Sequence, residues 1–138
     1  MTDASKAATL YDVVGGLPFF QTLVDAFYRG VQADPVLLCL YPEPADLAGA
    51  RRRLTAFLVQ YWGGPTTYSD ERGHPRLKMR HFGFAIGPVE RDHWLAHMLS
   101  AVDAVATDEA VRTALRDYFV PAAEHLRNDS PLRFTGSA

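Results

Sequence analysis

Tyr61-Trp62-Gly63-Gly64-Pro65, then Tyr68, then Gly73-His74-Pro75-Arg76-Leu77-Lys78-Met79-Arg80-His81: everything else in the chain is read outward from this run. Gly63, Gly64 and Pro65 stop a helix, and Gly73 and Pro75 punctuate the loop of about a dozen residues, 64–75, that follows. Residues 76–82 then predict one or two helical turns that carry His81, directly after Arg80 and three positions after Lys78. A histidine fixed by a stiff loop, next to cations and followed by Phe82 and Phe84, suits an amphiphilic ligand. Such a ligand has one atom for the imidazole, anionic groups for the basic side chains and an apolar face for the aromatics.

Outward from that run, the apolar residues recur mainly with helical period. Leu10 to Val14 predicts a helical turn stopped by Gly15-Gly16, and Pro18 opens a helix lined by Phe19, Phe20, Leu23, Val24, Phe27, Tyr28 and Val31. Asp34-Pro35 ends it, a brief helix from Val36 to Leu40 leads to the turn at Tyr41-Pro42, and a long helix spans Leu47 to Trp62. In that long helix Leu47, Ala50, Leu54, Phe57, Leu58 and Tyr61 share one side. Pro88 opens a helix to about Ala106, with Trp94, Leu95, Met98, Leu99, Val102 and Val105 inward. Asp108 caps the last helix, lined by Val111, Leu115, Tyr118, Phe119, Ala122 and Leu126, and Pro121 predicts a kink in it. No alternating strand pattern and no repeat appears, so the expected fold is all-α.

Composition sets bounds on function. At 138 residues the chain is expected to be one domain, 10–128, between flexible tails at 1–9 and 129–138. With 48% hydrophobic residues and a net charge of −2, it reads as an ordinary soluble globular protein. No apolar run approaches the ~20 residues of a membrane helix, and Met1-Thr2-Asp3-Ala4-Ser5-Lys6 has no apolar signal-peptide core. A cytoplasmic protein with no membrane partner is expected. The charge balance lacks the basic footprint of a nucleic-acid binder, and Arg51-Arg52-Arg53 reads as a solvated helix face. The single cysteine, Cys39, excludes an internal disulfide and a multi-cysteine zinc site and is assigned no role.

About six helices and a histidine on a very short helix after a Gly-Gly loop resemble a truncated haemoglobin, and more narrowly group II, the actinobacterial branch. The residues that carry the likeness are Tyr11-Asp12-Val13-Val14-Gly15-Gly16, Phe27-Tyr28, Tyr41-Pro42-Glu43 and Asp46-Leu47-Ala48-Gly49-Ala50. The run from Tyr61 to His81 and Glu90-Arg91-Asp92 with Trp94-Leu95 complete it, so that the likeness covers roughly residues 10–128. One extra residue near Glu43-Pro44-Ala45-Asp46 departs from the family pattern. The resemblance implies a two-over-two helical sandwich with a very short proximal helix at 76–82, and haem b (iron protoporphyrin IX) between two antiparallel helix pairs. Those pairs would be the helices around 18–33 and 47–62, and the two long C-terminal helices.

Globin-type haem needs an imidazole on iron. Five histidines are available, and on the residues alone a satisfied core histidine is the ordinary reading of His81. The resemblance places the axial ligand there. His93 and His97 have the i,i+4 spacing of metal ligands, but no third ligand at suitable spacing is visible, and they read as partly exposed helix histidines. His74 reads as bracing the loop or meeting a haem carboxylate, and His125 suits the helix dipole.

A diatomic ligand that draws electron density from ferrous iron gains negative charge, which preorganised donors in a dry pocket stabilise. Tyr28, Tyr41 and Trp94 could each be ordinary core aromatics. The resemblance gathers all three around the bound ligand. It puts Ala50 where ordinary globins carry the residue facing the ligand; an alanine side chain donates nothing and leaves a small gate. Leu54 and Phe57 should lie over the porphyrin. For the propionates Arg80 is the first candidate and Arg53 the next, with Lys78, Tyr68 and His74 after them and Phe84 against the ring.

Two functions follow from such a pocket. One is a haem protein that reversibly binds oxygen, carbon monoxide or nitric oxide, in the class of oxygen transport. The other is an oxidoreductase, a nitric oxide dioxygenase or a peroxidase-like enzyme acting on peroxide. The sequence carries no attached flavin or nicotinamide domain, so dioxygenase turnover would need a separate reductase. A homo-oligomer is left open, and a haem-free helical interaction domain is the bland reading.

Overall fold

The computed structural model describes residues 8–40, 44–73 and 86–125, with the side chains of 44–46 left aside. Its elements, in chain order, are α1 (Leu10–Val13), α2 (Leu17–Gln32), α3 (Pro35–Leu38), α4 (Pro44–Tyr61), α5 (Thr67–Arg72), α6 (Pro88–Val105) and α7 (Glu109–His125). Among the described residues there is no strand. The expected short proximal helix at 76–82, and Leu126 on the last helix, lie outside the described residues.

Local signals set most boundaries. Thr9 and Asp12 form a reciprocal capping box that starts α1: each backbone N–H donates to the other's side chain, both at 3.2 Å. Gly15 and Gly16, at φ 89° and 90°, turn the chain into α2 through a backbone region that only glycine enters without strain. Asp34 starts α3 by accepting the Val36 N–H at 3.0 Å. Glu90 reaches back to the Gly87 N–H at 2.8 Å at the head of α6, and Asp108 accepts the Ala110 N–H at 2.7 Å at the head of α7. Helix α7 is continuous through Pro121 to His125.

Helix α2 is the centre of the fold. It packs on both α4 and α6, and α6 packs in turn on α7. Its buried stripe is Phe20, Leu23, Val24, Phe27, Tyr28 and Val31. Phe20 and Phe27 are fully buried, as are Met98 and Val102 of α6 and Leu115 of α7, with Phe119 beside them at 1% exposure. Burying such side chains contributes roughly 1.5–3 kcal/mol each before the entropy of ordering them is set against it. Ion pairs near both ends fasten the α6/α7 hairpin in antiparallel register. Arg116 meets Asp103 at 2.6 Å near the turn, and Arg91 meets Glu124 at the open end.

Two expectations are corrected. Residues 64–75 are not a bare loop, because Thr67–Arg72 form α5 with Tyr68 buried. Two contacts made across sequence hold it: the Gln60 side chain donates to Ser69 Oγ at 2.7 Å and accepts the Ser69 N–H at 2.9 Å, while the Tyr68 ring packs edge-on to Phe57. Tyr61 leaves the buried side of α4 and is 53% exposed. Its ring packs at a tilt on that of Tyr118, with centroids 4.4 Å apart. Burial, with Tyr61 alongside, pushes the Tyr118 hydroxyl up to about 12.

The Gly63-Gly64 stop also docks the N-terminal turn. The Tyr11 N–H donates to the Trp62 carbonyl at 3.0 Å, and a Cβ on Gly63, at φ 107°, would come within 2.5 Å of the Thr9 side chain. Gly63→Ala should therefore cost ~1–3 kcal/mol, from strain and clash together. A thermal melt reads this as a drop of several degrees. An unchanged midpoint would mean that α1 is not held at this junction.

Candidate functional site

Helices α2 and α6 meet at Phe27, and α4 packs on α2. Helix α2 supplies Tyr28, buried to 3% exposure, whose ring lies edge-on to Phe27 at 4.8 Å between centroids. Helix α6 supplies Trp94, whose indole lies 5.2 Å from Phe27 and 5.9 Å from Phe119. Tyr28 and Trp94 thus each touch Phe27, one from the next position on α2 and the other from α6. Helix α4 runs alongside with Ala50 buried, Leu54 partly buried and Phe57 buried, a stripe at i, i+4 and i+7. Phe57 leads on to Tyr68 of α5 at 5.7 Å. The result is an apolar stripe on α4 with the small residue Ala50 at its head.

The arginine run on α4 divides its duties. Arg51 reaches Asp25 at 3.5 Å, and its guanidinium lies 5.8 Å over the Tyr28 ring, a cation–π contact from α4 to α2. Arg52 is exposed. Arg53 is half-buried and folds back along its own helix, so that a Cβ on Gly49 would sit 2.8 Å from its Nη1. Of the other predicted site residues, Tyr41, His74, Lys78, Arg80, His81 and Phe84 lie outside the described residues.

The histidine pair on α6 resolves into a contact that spacing alone did not reveal. His93 Nδ1 lies 2.8 Å and His97 Nε2 2.7 Å from the same oxygen, Oδ2 of Asp34. The partner comes from the junction of α2 and α3 and is buried, while the two imidazoles keep 40% and 30% of their side-chain surface exposed. Their shared partner is Asp34, acting as a hydrogen-bond acceptor. Among the described residues no group of three histidine, cysteine or acidic side chains is arranged to hold a metal ion. The only signal in the sequence was Asp34 before Pro35, which reads as a helix stop.

The hydrogen bond from His93, with those from His97 and the Val36 N–H, outweighs burial and lowers the Asp34 carboxyl from 3.8 to about 2. A folded value below the unfolded one stabilises the protein fully above the unfolded value, and that stabilisation is lost as pH falls through the folded value. The stability gap between the native chain and Asp34→Asn should narrow from about pH 4 to about pH 2, as read by chemical denaturation. A gap that stays flat across that window would show that the carboxylate charge does not contribute.

Comparison with known proteins agrees with this geometry. Residues 9–128 match the bacterial-like globin family. The group 2 truncated hemoglobin YjbI of Bacillus subtilis is 36% identical over 120 residues, covering 87% of this chain and 89% of its own. The thermostable hemoglobin of the actinobacterium Thermobifida fusca is 52% identical with a TM-score of 0.85, covering 88% of this chain and 98% of its own. The group II truncated hemoglobin of Bacillus anthracis is 34% identical with a TM-score of 0.82, covering 90% and 94% respectively. The helices that converge on Phe27 are those of a two-over-two globin, and the chain belongs to the bacterial-like globins, among the group II truncated haemoglobins.

Proposed function

We propose that this protein binds haem b with His81 as the axial imidazole and reversibly holds oxygen and other diatomic ligands under hydrogen bonds from Trp94, Tyr28 and Tyr41. Family membership supports haem-based oxygen binding. The observation that supports the finer reading is the contact of Tyr28 and of Trp94 with Phe27, in the same core as Ala50, Leu54 and Phe57. These residues fit the group: a flat apolar macrocycle suits the α4 stripe, with one donor, Tyr28, buried and the other, Trp94, partly buried.

Haem, when bound, supplies the iron that takes the diatomic ligand; the remaining work belongs to side chains. The Tyr28 hydroxyl and the Trp94 indole N–H donate toward the charge that the ligand gains, each such bond contributing roughly 1.5–3 kcal/mol. Ala50 donates nothing from its side chain and leaves room for ligand entry. Arg80, Arg53, Lys78, Tyr68 and His74 are the groups that would meet the propionates, with Phe84 against the ring. A cytoplasmic location and a haem of b type belong to the same proposal.

Titrating the haem-free protein with haemin tests the binding reading; the two tryptophans should be quenched to saturation at one haem per chain. Quenching that never saturates would contradict a built site. In the oxygenated protein, Tyr28→Phe should raise the oxygen dissociation rate by about tenfold, the loss of one donor worth about 1.4 kcal/mol. If that rate is unchanged, Tyr28 only packs.

A further inference from the structure

The contact of Asp34 with His93 and His97 has no part in the reading above, yet it joins the two helices that carry the proposed donors. We propose that Asp34, His93 and His97 are positioning residues, a clamp that fixes the rotation and register of α6 on α2 and so aims the indole of Trp94; this rests on Trp94 serving as a ligand donor.

The geometry is that of a two-point anchor. One oxygen of Asp34 accepts the Val36 N–H at 3.0 Å and the other meets both imidazoles, so the carboxylate is itself held before it holds anything. His93 and His97 stand one turn apart on α6, and two anchor points on one helix face define its rotation as well as its height. Trp94 follows His93 directly and precedes His97 by three positions. It cannot turn about the helix axis without breaking one bond or the other. Asp34 follows α2 after Ala33, on the same helix end that Tyr28 approaches one and a half turns earlier. A bare glycine completes the seat, because a Cβ on Gly30 of α2 would lie 2.3 Å from His97 Nδ1. Hydrogen-bonding donors act only when held within about 0.5 Å and 10–20° of their target, a tolerance that a small rotation of α6 exceeds. Edge contacts with Phe27 and Phe119 seat the indole ring, and the clamp holds the helix that carries it.

The test uses the haem-loaded ferrous carbonyl form, in which each tryptophan gives one indole N–H resonance and Trp94→Phe identifies that of Trp94. Asp34→Ser keeps a cap for the Val36 N–H, but its shorter side chain releases both imidazoles; His97→Ala releases one and keeps Asp34. Both should move the Trp94 resonance while leaving that of Trp62 in place. Both should also raise the oxygen dissociation rate by about threefold or more, an increase absent when Trp94 is already phenylalanine. If melting falls while the Trp94 resonance and the oxygen rate stay put, the clamp is structural only and the proposal is overturned. If Trp94→Phe alone leaves the oxygen rate unchanged, the donor reading fails separately. The resonance then decides the clamp, upheld by a shift and overturned by none.

Discussion

His81→Gly should strip the protein of its axial imidazole and, with it, most of its hold on haem. Glycine at this position offers no donor atom to iron, so the purified variant is expected to be largely colourless, or to carry haem with a ferrous spectrum that no longer reports a histidine ligand. The fold should survive, since the buried core runs through Phe20, Phe27, Met98, Leu115 and Phe119 on α2, α6 and α7. Adding free imidazole should restore the native ferrous spectrum, because the small molecule can occupy the space left by the side chain. Circular dichroism and visible spectra with and without imidazole read both effects. A variant that keeps haem with an unchanged ferrous spectrum would contradict the assignment and turn attention to His74, the other histidine of the same run.

Trp94→Phe carries the second large effect. The phenyl ring keeps the contacts with Phe27 and Phe119 in kind but removes the N–H. Loss of a charge-assisted bond worth ~1.4 kcal/mol or more predicts oxygen dissociation at least about tenfold faster. Stopped-flow displacement of oxygen by carbon monoxide measures it. A rate within a factor of about two of the native protein would leave Trp94 as a packing residue only. The same variant supplies the background for the Asp34 experiments, which ties the two questions to one set of proteins.

Helical period and capping made most of the fold legible in the residues. Pro18, Asp34-Pro35, Gly63-Gly64, Pro88 and Asp108 mark helix ends that the structure places within a few residues of where local chemistry puts them. Helix α5 escaped that reading because Gly64, Pro65 and Gly73 dominate its surroundings. Its hold comes from Gln60 and Phe57, one helix earlier. Thr66 followed by Asp70 and Glu71 was the local sign of a helix start. Tyr61 fits the apolar stripe of α4 by spacing, yet it turns out to Tyr118, a neighbour that only the packing of α7 supplies.

The site divides in the same way. Tyr28 and Trp94 could be picked from the sequence only through the family resemblance, since a buried tyrosine or tryptophan is ordinarily core. That Trp94 lies on Phe27 is a fact of packing. The histidine pair on α6 was visible as a spacing, but its meaning depended on Asp34, 59 and 63 positions away along the chain. No periodicity reports a contact of that range. The glycine that seats His97 is likewise silent in the sequence, because Gly30 sits mid-helix without a turn to explain it.

The visible spectrum of the purified protein, ferric and then reduced under carbon monoxide, tests the central claim most directly. A sharp Soret band and the spectrum of a histidine-ligated carbon monoxide complex are expected. A colourless protein that takes up no added haem would contradict it.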